Sequence, residues 1–248
     1  MSLLTNLVSY WKLDEASGDA IDAHGSNDLT DVNGVGTGTG IINGARDFER
    51  DSLQYLTIAS NSDLSIASIS VDYEFSCWVN LETNSTNKQI ITKRTTQLVG
   101  ASLEYMLRID GGTPVVYWGD PVNFNSVGDA TGALSTGTWY FFTFGYTTAT
   151  SRFFITRNAA AETFSVVTTN QQVAGSNPFG IGGNNFGTAN EDMDGLIDEV
   201  GFWKGRILTA DERTELYNGG AGLSYDNFGG GSGSVSNSGY LGLFGVSG

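Results

Sequence analysis

Apolar residues in this chain recur mostly at every second position, in short runs set apart by glycine-, serine- and asparagine-rich turns. That period marks half-buried β-strands. It is clearest at Tyr73, Phe75, Cys77 and Val79, within a segment running from Ser65 to Asn80. Similar runs predict strands at Leu7–Leu13, Ala45–Glu49, Tyr55–Ile58, Gln89–Lys93, Leu103–Ile109, Pro114–Trp118, Thr138–Tyr146, Arg152–Arg157, Thr163–Val167 and Asn177–Gly183. Asp110-Gly111-Gly112 and Asn158-Ala159-Ala160-Ala161 read as hairpin turns. From Ala20 to Gly44 glycines replace the apolar pattern, and a long ordered loop is expected there. Helical character is confined to Ala210–Tyr217. Thr209 and Glu212 have the spacing of a capping box ahead of it, and Gly219-Gly220 stop it. Two packed antiparallel sheets with one short C-terminal helix follow from this pattern.

The stretch Met193–Trp203 departs from strict alternation. Leu196, Ile197, Val200, Phe202 and Trp203 make it apolar on both faces, yet Asp198 and Glu199 sit in its middle. Burying a charge is costly unless something compensates it. Asp198 therefore needs an arginine such as Arg206, backbone amides or a cation.

Composition narrows the function classes. The chain of 248 residues has a formal net charge of −15 and only 12 Lys and Arg. Nucleic acid and anionic lipid are excluded as partners, since both need clustered basic residues. No run approaches the ~20 apolar residues of a membrane span. With a single cysteine, Cys77, no intramolecular disulfide can form, and its place in the strand pattern makes it an inert core residue. The N-terminus has no basic segment followed by an apolar one, so no secretory signal is expected. Past Phe228 the composition changes. Gly229–Ser234 is a flexible linker, and Gly239–Val246 is apolar and too short for a core of its own. The expected division is a β-sandwich domain at 1–228 and a docking tail at 229–248, with Tyr240, Leu241, Leu243 and Phe244 meeting a neighbouring subunit or scaffold.

Two sets of residues combine an aromatic platform with polar groups, as sugar sites do: Tyr117, Trp118, Asp120 and Asn123, and Asn184, Asn185 and Phe186. His24 has no serine or cysteine partner that would make a nucleophilic triad.

Leu7-Val8-Ser9-Tyr10-Trp11-Lys12-Leu13-Asp14-Glu15-Ala16-Ser17-Gly18, Phe75-Ser76-Cys77-Trp78-Val79, Gly137–Phe141 and Leu196-Ile197-Asp198-Glu199-Val200-Gly201-Phe202-Trp203 with Arg206–Thr209 resemble the opening, central and closing strands of laminin-G-like domains. These belong to the concanavalin A-like lectin/glucanase superfamily. The resemblance spans residue 7 to about 228 and implies a two-sheet β-sandwich jelly roll. It also implies one structural calcium, with Asp198 at the position of the family's closing-strand ligand and Asp14, Glu15 and Asp22 as ligands from the N-terminal side. The glucanase branch works with a Glu-x-Asp-x-x-Glu run. Glu49-Arg50-Asp51-Ser52-Leu53-Gln54 comes nearest and lacks the final acid, so no enzyme is expected.

The resulting expectation is a non-enzymatic structural and adhesion module on a virion surface: a phage capsid decoration or tail-fibre-associated subunit with weak glycan binding. It would be a homo-oligomer or part of a larger assembly. A secreted or cell-surface carbohydrate-binding module is the alternative, and a β-glucanase ranks third.

Overall fold

The strongest alternation in the sequence becomes the middle of a sheet. In a computed structural model describing residues 2–66, 70–84, 87–94, 103–120, 124–167, 176–183 and 191–229, strand β6 spans Tyr73–Leu81. The other strands are β1 (Leu7–Trp11), β2 (Thr30–Val32), β3 (Gly36–Thr39), β4 (Gly44–Phe48), β5 (Tyr55–Ile58), β7 (Lys88–Arg94), β8 (Leu103–Asp110), β9 (Thr113–Gly119), β10 (Phe124–Gly128), β11 (Trp139–Thr147), β12 (Arg152–Arg157), β13 (Thr163–Val166), β14 (Phe179–Ile181) and β15 (Gly195–Lys204). Among the described residues they form two antiparallel sheets. One has eight strands in the order β13-β12-β11-β6-β15-β4-β3, with β1 also paired to β15; the other has seven, β10-β9-β8-β7-β14-β5-β2. This is the expected sandwich.

The core lies between the sheets. Phe75, Cys77 and Val79 from β6 meet Tyr105, Leu107 and Ile109 from β8 and Val116 and Trp118 from β9. Phe75 is its hub, stacked on Phe202 at 4.2 Å and on Phe144 at 5.1 Å. Cys77 is fully buried, and burial pushes its thiol far above the usual range. It is the inert residue expected.

A second apolar layer covers the outer face of the eight-stranded sheet. Trp78, Phe141 and Trp203 pack there against Leu208, Leu216 and Phe228. Helix α1 (Ala210–Tyr217) supplies Leu216, and both arms of the capping box are made between Thr209 and Glu212. Arg213 from α1 reaches the sheet, donating to Glu74 from Nε at 2.7 Å and from Nη2 at 3.1 Å. Glu74 also accepts from the Leu208 amide at 2.8 Å. The residues after the helix return over β1: Tyr225 stacks on Tyr10 at 5.1 Å, and Lys12 pairs with Asp226 at 2.9 Å.

Three elements differ from expectation. The loop from Ala20 to Gly44 contains β2 and β3, which lack apolar alternation and exist through pairing to β5 and β4. Strand β10, Phe124–Gly128, is held in the same way by β9. Ser65 and Ile66 do not open β6; Glu104 holds them in a loop, accepting from the Ile66 amide at 3.0 Å.

Candidate functional site

Asp198 and Glu199 sit at a β-bulge. The register of β15 on β6 shifts between Asp198, opposite Trp78, and Gly201, opposite Ser76. Glu199 takes a left-handed conformation with φ 51°. A bulge places two residues where one would stand, so neighbouring side chains no longer point to opposite faces. Ile197 and Val200 face the core, and Asp198 and Glu199 between them turn away from it. Both acids are buried, Asp198 fully and Glu199 at 2% exposure.

The partners of Asp198 come from the turn between β3 and β4. Its Oδ2 accepts the amides of Ile41 at 2.8 Å and Ile42 at 3.2 Å. The turn approaches closely because Gly40 has no side chain: a Cβ there would lie 2.5 Å from that oxygen. Asp14 grips the other end of the same turn, accepting the Gly44 amide at 2.9 Å and Asn43 Nδ2 at 3.3 Å. Arg206 is occupied elsewhere, with Glu212 and the carbonyls of Ser2 and Thr5.

These bonds leave much of the cluster uncompensated. Asp198 Oδ1 and both carboxylate oxygens of Glu199 are buried without a hydrogen-bond partner. The Tyr10 phenol faces Glu199 and favours its ionised form, without completing a hydrogen bond of good geometry. Burial above all, with Asp14 adding repulsion, raises Asp198 to about 7. Burial and the charges of Asp198 and Asp14 raise Glu199 to about 8. Two carboxylates, Asp198 and Glu199, thus keep orphaned oxygens of the hard kind that calcium takes, while both oxygens of Asp14 are engaged by Asn43 and Gly44.

The other two implied ligands stand differently. Asp22 is committed to the backbone: Oδ1 accepts the amides of Tyr10, His24 and Gly25, and Oδ2 that of Asn27. It shapes the loop after β1, with both oxygens engaged by main-chain amides. Glu15 accepts the Ile21 amide through Oε1, and its buried Oε2 has no partner.

The sugar-site residues divide between two faces of the seven-stranded sheet. Trp118 belongs to the core, stacked on Phe153 at 4.0 Å and 7°. It cannot act as a platform, because alternation turns it to the face opposite Tyr117. Tyr117 lies on the outer face, stacked at 4.6 Å on Phe124, which is 37% exposed. Its hydroxyl donates to Asp110, and Arg108 lies over its ring at 5.7 Å while pairing with Asp110. Glu191 extends the network, accepting from Arg94 Nη2 at 2.8 Å, Arg108 Nη1 at 3.3 Å and Gln89 Nε2 at 3.1 Å. Beside it, Asp192 is raised to about 7 by burial. Asp120 accepts from Asn125 at 3.2 Å. Asn123, Asn184, Asn185, Phe186, Tyr240, Leu241, Leu243 and Phe244 lie outside the described residues. Sequence reading missed Arg94, Arg108, Asp110, Phe124 and Glu191, although Arg108 and Asp110 alternate with the core residues Leu107 and Ile109.

A second acidic group lies where β4, β6 and β15 meet their loops. One carboxylate oxygen each from Glu49, Glu82 and Asp194 lies within 4.8 Å of the others. Asp194 is bound by Thr83 Oγ1 at 2.5 Å and lies 4.0 Å from Lys88 Nζ. Glu49 leads into a 3-10 turn, Arg50–Ser52, so the acids of this run do not line a strand as a glucanase pair would.

The architecture recurs among solved structures. Domain 4 of AbnA, a GH43 extracellular arabinanase from Geobacillus stearothermophilus solved with arabinotriose, superposes with a TM-score of 0.62 at 15% identity, over 84% of this chain and 97% of that one. The binding domain of Paraclostridial Mosquitocidal Protein 1 gives 0.69 at 15% identity over 88% of this chain, and that of botulinum neurotoxin serotype G gives 0.65 at 15% over 86%. The chain spans about half the length of those two toxin domains, 53% and 50%. At such identities the likeness speaks for the fold. No curated protein matches the sequence. The family model described as the concanavalin A-like lectin/glucanases superfamily matches residues 50–212, which include the core strands and the bulged closing strand, and the chain belongs to that superfamily.

Proposed function

We propose that this protein is a non-enzymatic adhesion module that binds glycans on the outer face of its seven-stranded sheet, displayed on a phage virion as a capsid decoration or tail-fibre-associated subunit. The stacked pair Tyr117–Phe124 carries the binding part. Its rings offer an apolar platform for a sugar face, and Arg108, Asp110 and Glu191 beside it supply fixed partners for hydroxyls. The arabinotriose bound by the AbnA domain and the binding role of the toxin domains support this reading by analogy of fold.

Affinity electrophoresis against arabinan, xylan, β-glucan and mucin tests it. The wild type is expected to be retarded by at least one, and Phe124→Ala to weaken that retardation at least tenfold with a melting temperature within about 2 °C. Wild type unretarded by all four, or Phe124→Ala retarded equally, sinks the glycan claim. A reducing-sugar assay on the same polymers is expected to stay flat.

Virion display draws its support from the tail, where a Gly/Ser linker precedes the apolar run Tyr240–Val246. Deleting residues 230–248 should leave a folded domain with unchanged glycan retardation that no longer joins its assembly. Incorporation equal to the full chain sends the reading to a secreted or cell-surface carbohydrate-binding module. A structural calcium at Asp198, with Asp14 beside it, belongs to the same reading.

A further inference from the structure

Strand β13 ends the eight-stranded sheet with its outer side open. We infer that this edge is the dock for the apolar run Tyr240–Val246 of a neighbouring copy, which adds there as a further strand and links copies tail to edge. The inference rests on the tail joining an assembly, as proposed above, and names the surface that receives it.

Among the described residues β13 pairs on one side only, with β12, in regular register from Arg152 opposite Val166 to Ile155 opposite Thr163. The Val167 amide continues that ladder, donating to the Ser151 carbonyl at 2.7 Å. In an antiparallel ladder every second residue turns its amide and carbonyl to the same neighbour. Thr163 and Ser165 therefore face β12, and the amides and carbonyls of Phe164 and Val166 face outward. Their side chains are uncovered too: Val166 is 59% exposed, the most of any large apolar residue described, and Phe164 50%. The usual protections of an edge are missing, since this strand has no lysine, no proline and no bulge. The other edges differ. The Tyr10 carbonyl of β1 accepts the Ala23 amide, β2 carries Asp31, β3 is Gly36-Thr37-Gly38-Thr39, and on β10 Phe124 is stacked on Tyr117. Charge pairs hold β13 in place: Glu162 beside it binds Arg152 and, at 2.7 Å, Arg213 of α1, and Arg152 lies 4.6 Å from the Phe164 ring centroid.

Charge and reach select the occupant. The chain has a net charge of −15, so two copies meeting face to face repel, whereas residues 229–248 contain no Asp, Glu, Lys or Arg. Leu241 and Leu243 have the two-residue spacing of Phe164 and Val166, as a paired strand requires. The described chain leaves the domain at the far side of the same sheet. Phe228 packs on Tyr10 of β1, and β1 stands five strand spacings from β13, about 24 Å. Helix α1 lies across that route, with Tyr217 stacked on Trp78 and Arg213 over Phe154. Residues 230–239 are Gly/Ser-rich, and a run of that length and composition spans about 18 Å on average. Its own β13 is beyond that span, and a neighbour's can come alongside. Donor and acceptor are different surfaces, so the copies join head to tail and close by exchange of arms or into a ring.

Sedimentation velocity on the full chain tests this, with Val166→Pro as the acceptor variant and Leu241→Asp/Leu243→Asp as the donor variant. Proline at 166 removes an outward amide and spares the ladder to β12. Expected are concentration-dependent oligomers for the wild type, monomers for each variant alone, and a one-to-one dimer when the two variants are mixed, since together they retain one intact tail and one intact edge. Exchange at the Phe164 and Val166 amides should be at least tenfold slower in the wild type than in the donor variant. Should Val166→Pro fail to fold, Val166→Lys takes its place, its charge facing the incoming strand. An acceptor variant that assembles like the wild type overturns the inference and leaves the tail's part in assembly standing. A donor variant that assembles like the wild type removes the tail reading itself and the inference with it. A wild type that stays monomeric also overturns it: protected amides at Phe164 and Val166 then put the tail on its own copy's edge, and unprotected ones leave the edge unused.

Discussion

Arg213→Ala is expected to lower the melting temperature by roughly 6–20 °C. The estimate combines about 3–5 kcal/mol for stripping one partner from a buried ion pair with roughly 2–4 °C per kcal/mol in a domain of this size. Arg213 is the inward anchor of an eight-residue helix, and a helix that short does not persist unaided. Two of its guanidinium nitrogens bond to Glu74, a third reaches Glu162 at 2.7 Å, and the group lies 4.8 Å from the Phe154 ring centroid. Without it Glu74, fully buried on the central strand, keeps the Leu208 amide and loses its counter-charge. Burial already raises the Glu74 pKa with Arg213 in place. The damage in Arg213→Ala is therefore mostly a stranded carboxylate, and Arg213→Met with Glu74→Gln should recover part of the loss. Thermal melts of the three proteins check this. A single variant melting within 2 °C of wild type would show that packing alone holds the helix.

Strands with one buried face were legible because burial writes alternation into sequence. Tyr73, Phe75, Cys77 and Val79 could belong to little else than a sheet, and they became the inner face of β6. Strands β2, β3 and β10 were not legible. Thr30-Asp31-Val32, Gly36-Thr37-Gly38-Thr39 and Phe124–Gly128 carry no such pattern, and pairing with a distant neighbour decides their conformation. Asp198 announced itself as a charge inside an apolar run. The direction of Glu199 did not, since a bulge breaks the period of two and nothing local to a glutamate calls for positive φ. In sequence Tyr117 and Trp118 make one platform, and alternation from Val116 already puts Trp118 on the core side and leaves Tyr117 outside. The meeting of Glu49, Glu82 and Asp194 comes from three chain segments and leaves no local mark.

Metal-free protein is expected to lose stability as pH rises from about 5 to 8, and calcium to reverse that trend. Asp198 and Glu199, held up chiefly by burial, protonate near 7 and 8 in the folded chain. In the unfolded chain their values return to roughly 3.9 and 4.3. Between these limits the folded state binds protons that the unfolded state lacks, so its stability is greatest at low pH and falls as pH rises through the folded values. Each such proton contributes a slope of about 1.4 kcal/mol per pH unit, so the pair could reach roughly twice that. Asp192, also raised by burial, acts in the same direction. The share of the cluster is therefore read as a difference, with Asp198→Asn/Glu199→Gln as the reference. In chelator at pH 8 this double variant should melt above the wild type, because amides replace two buried charges that lack partners. At pH 5, where the wild type holds the protons, the two should converge. With calcium the order at pH 8 inverts, since ionised Asp198 is then neutralised by a cation that an amide binds poorly. Melting curves at pH 5 and 8, with chelator and with calcium, decide it: parallel slopes in wild type and double variant would remove Asp198 and Glu199 as the source of the pH dependence.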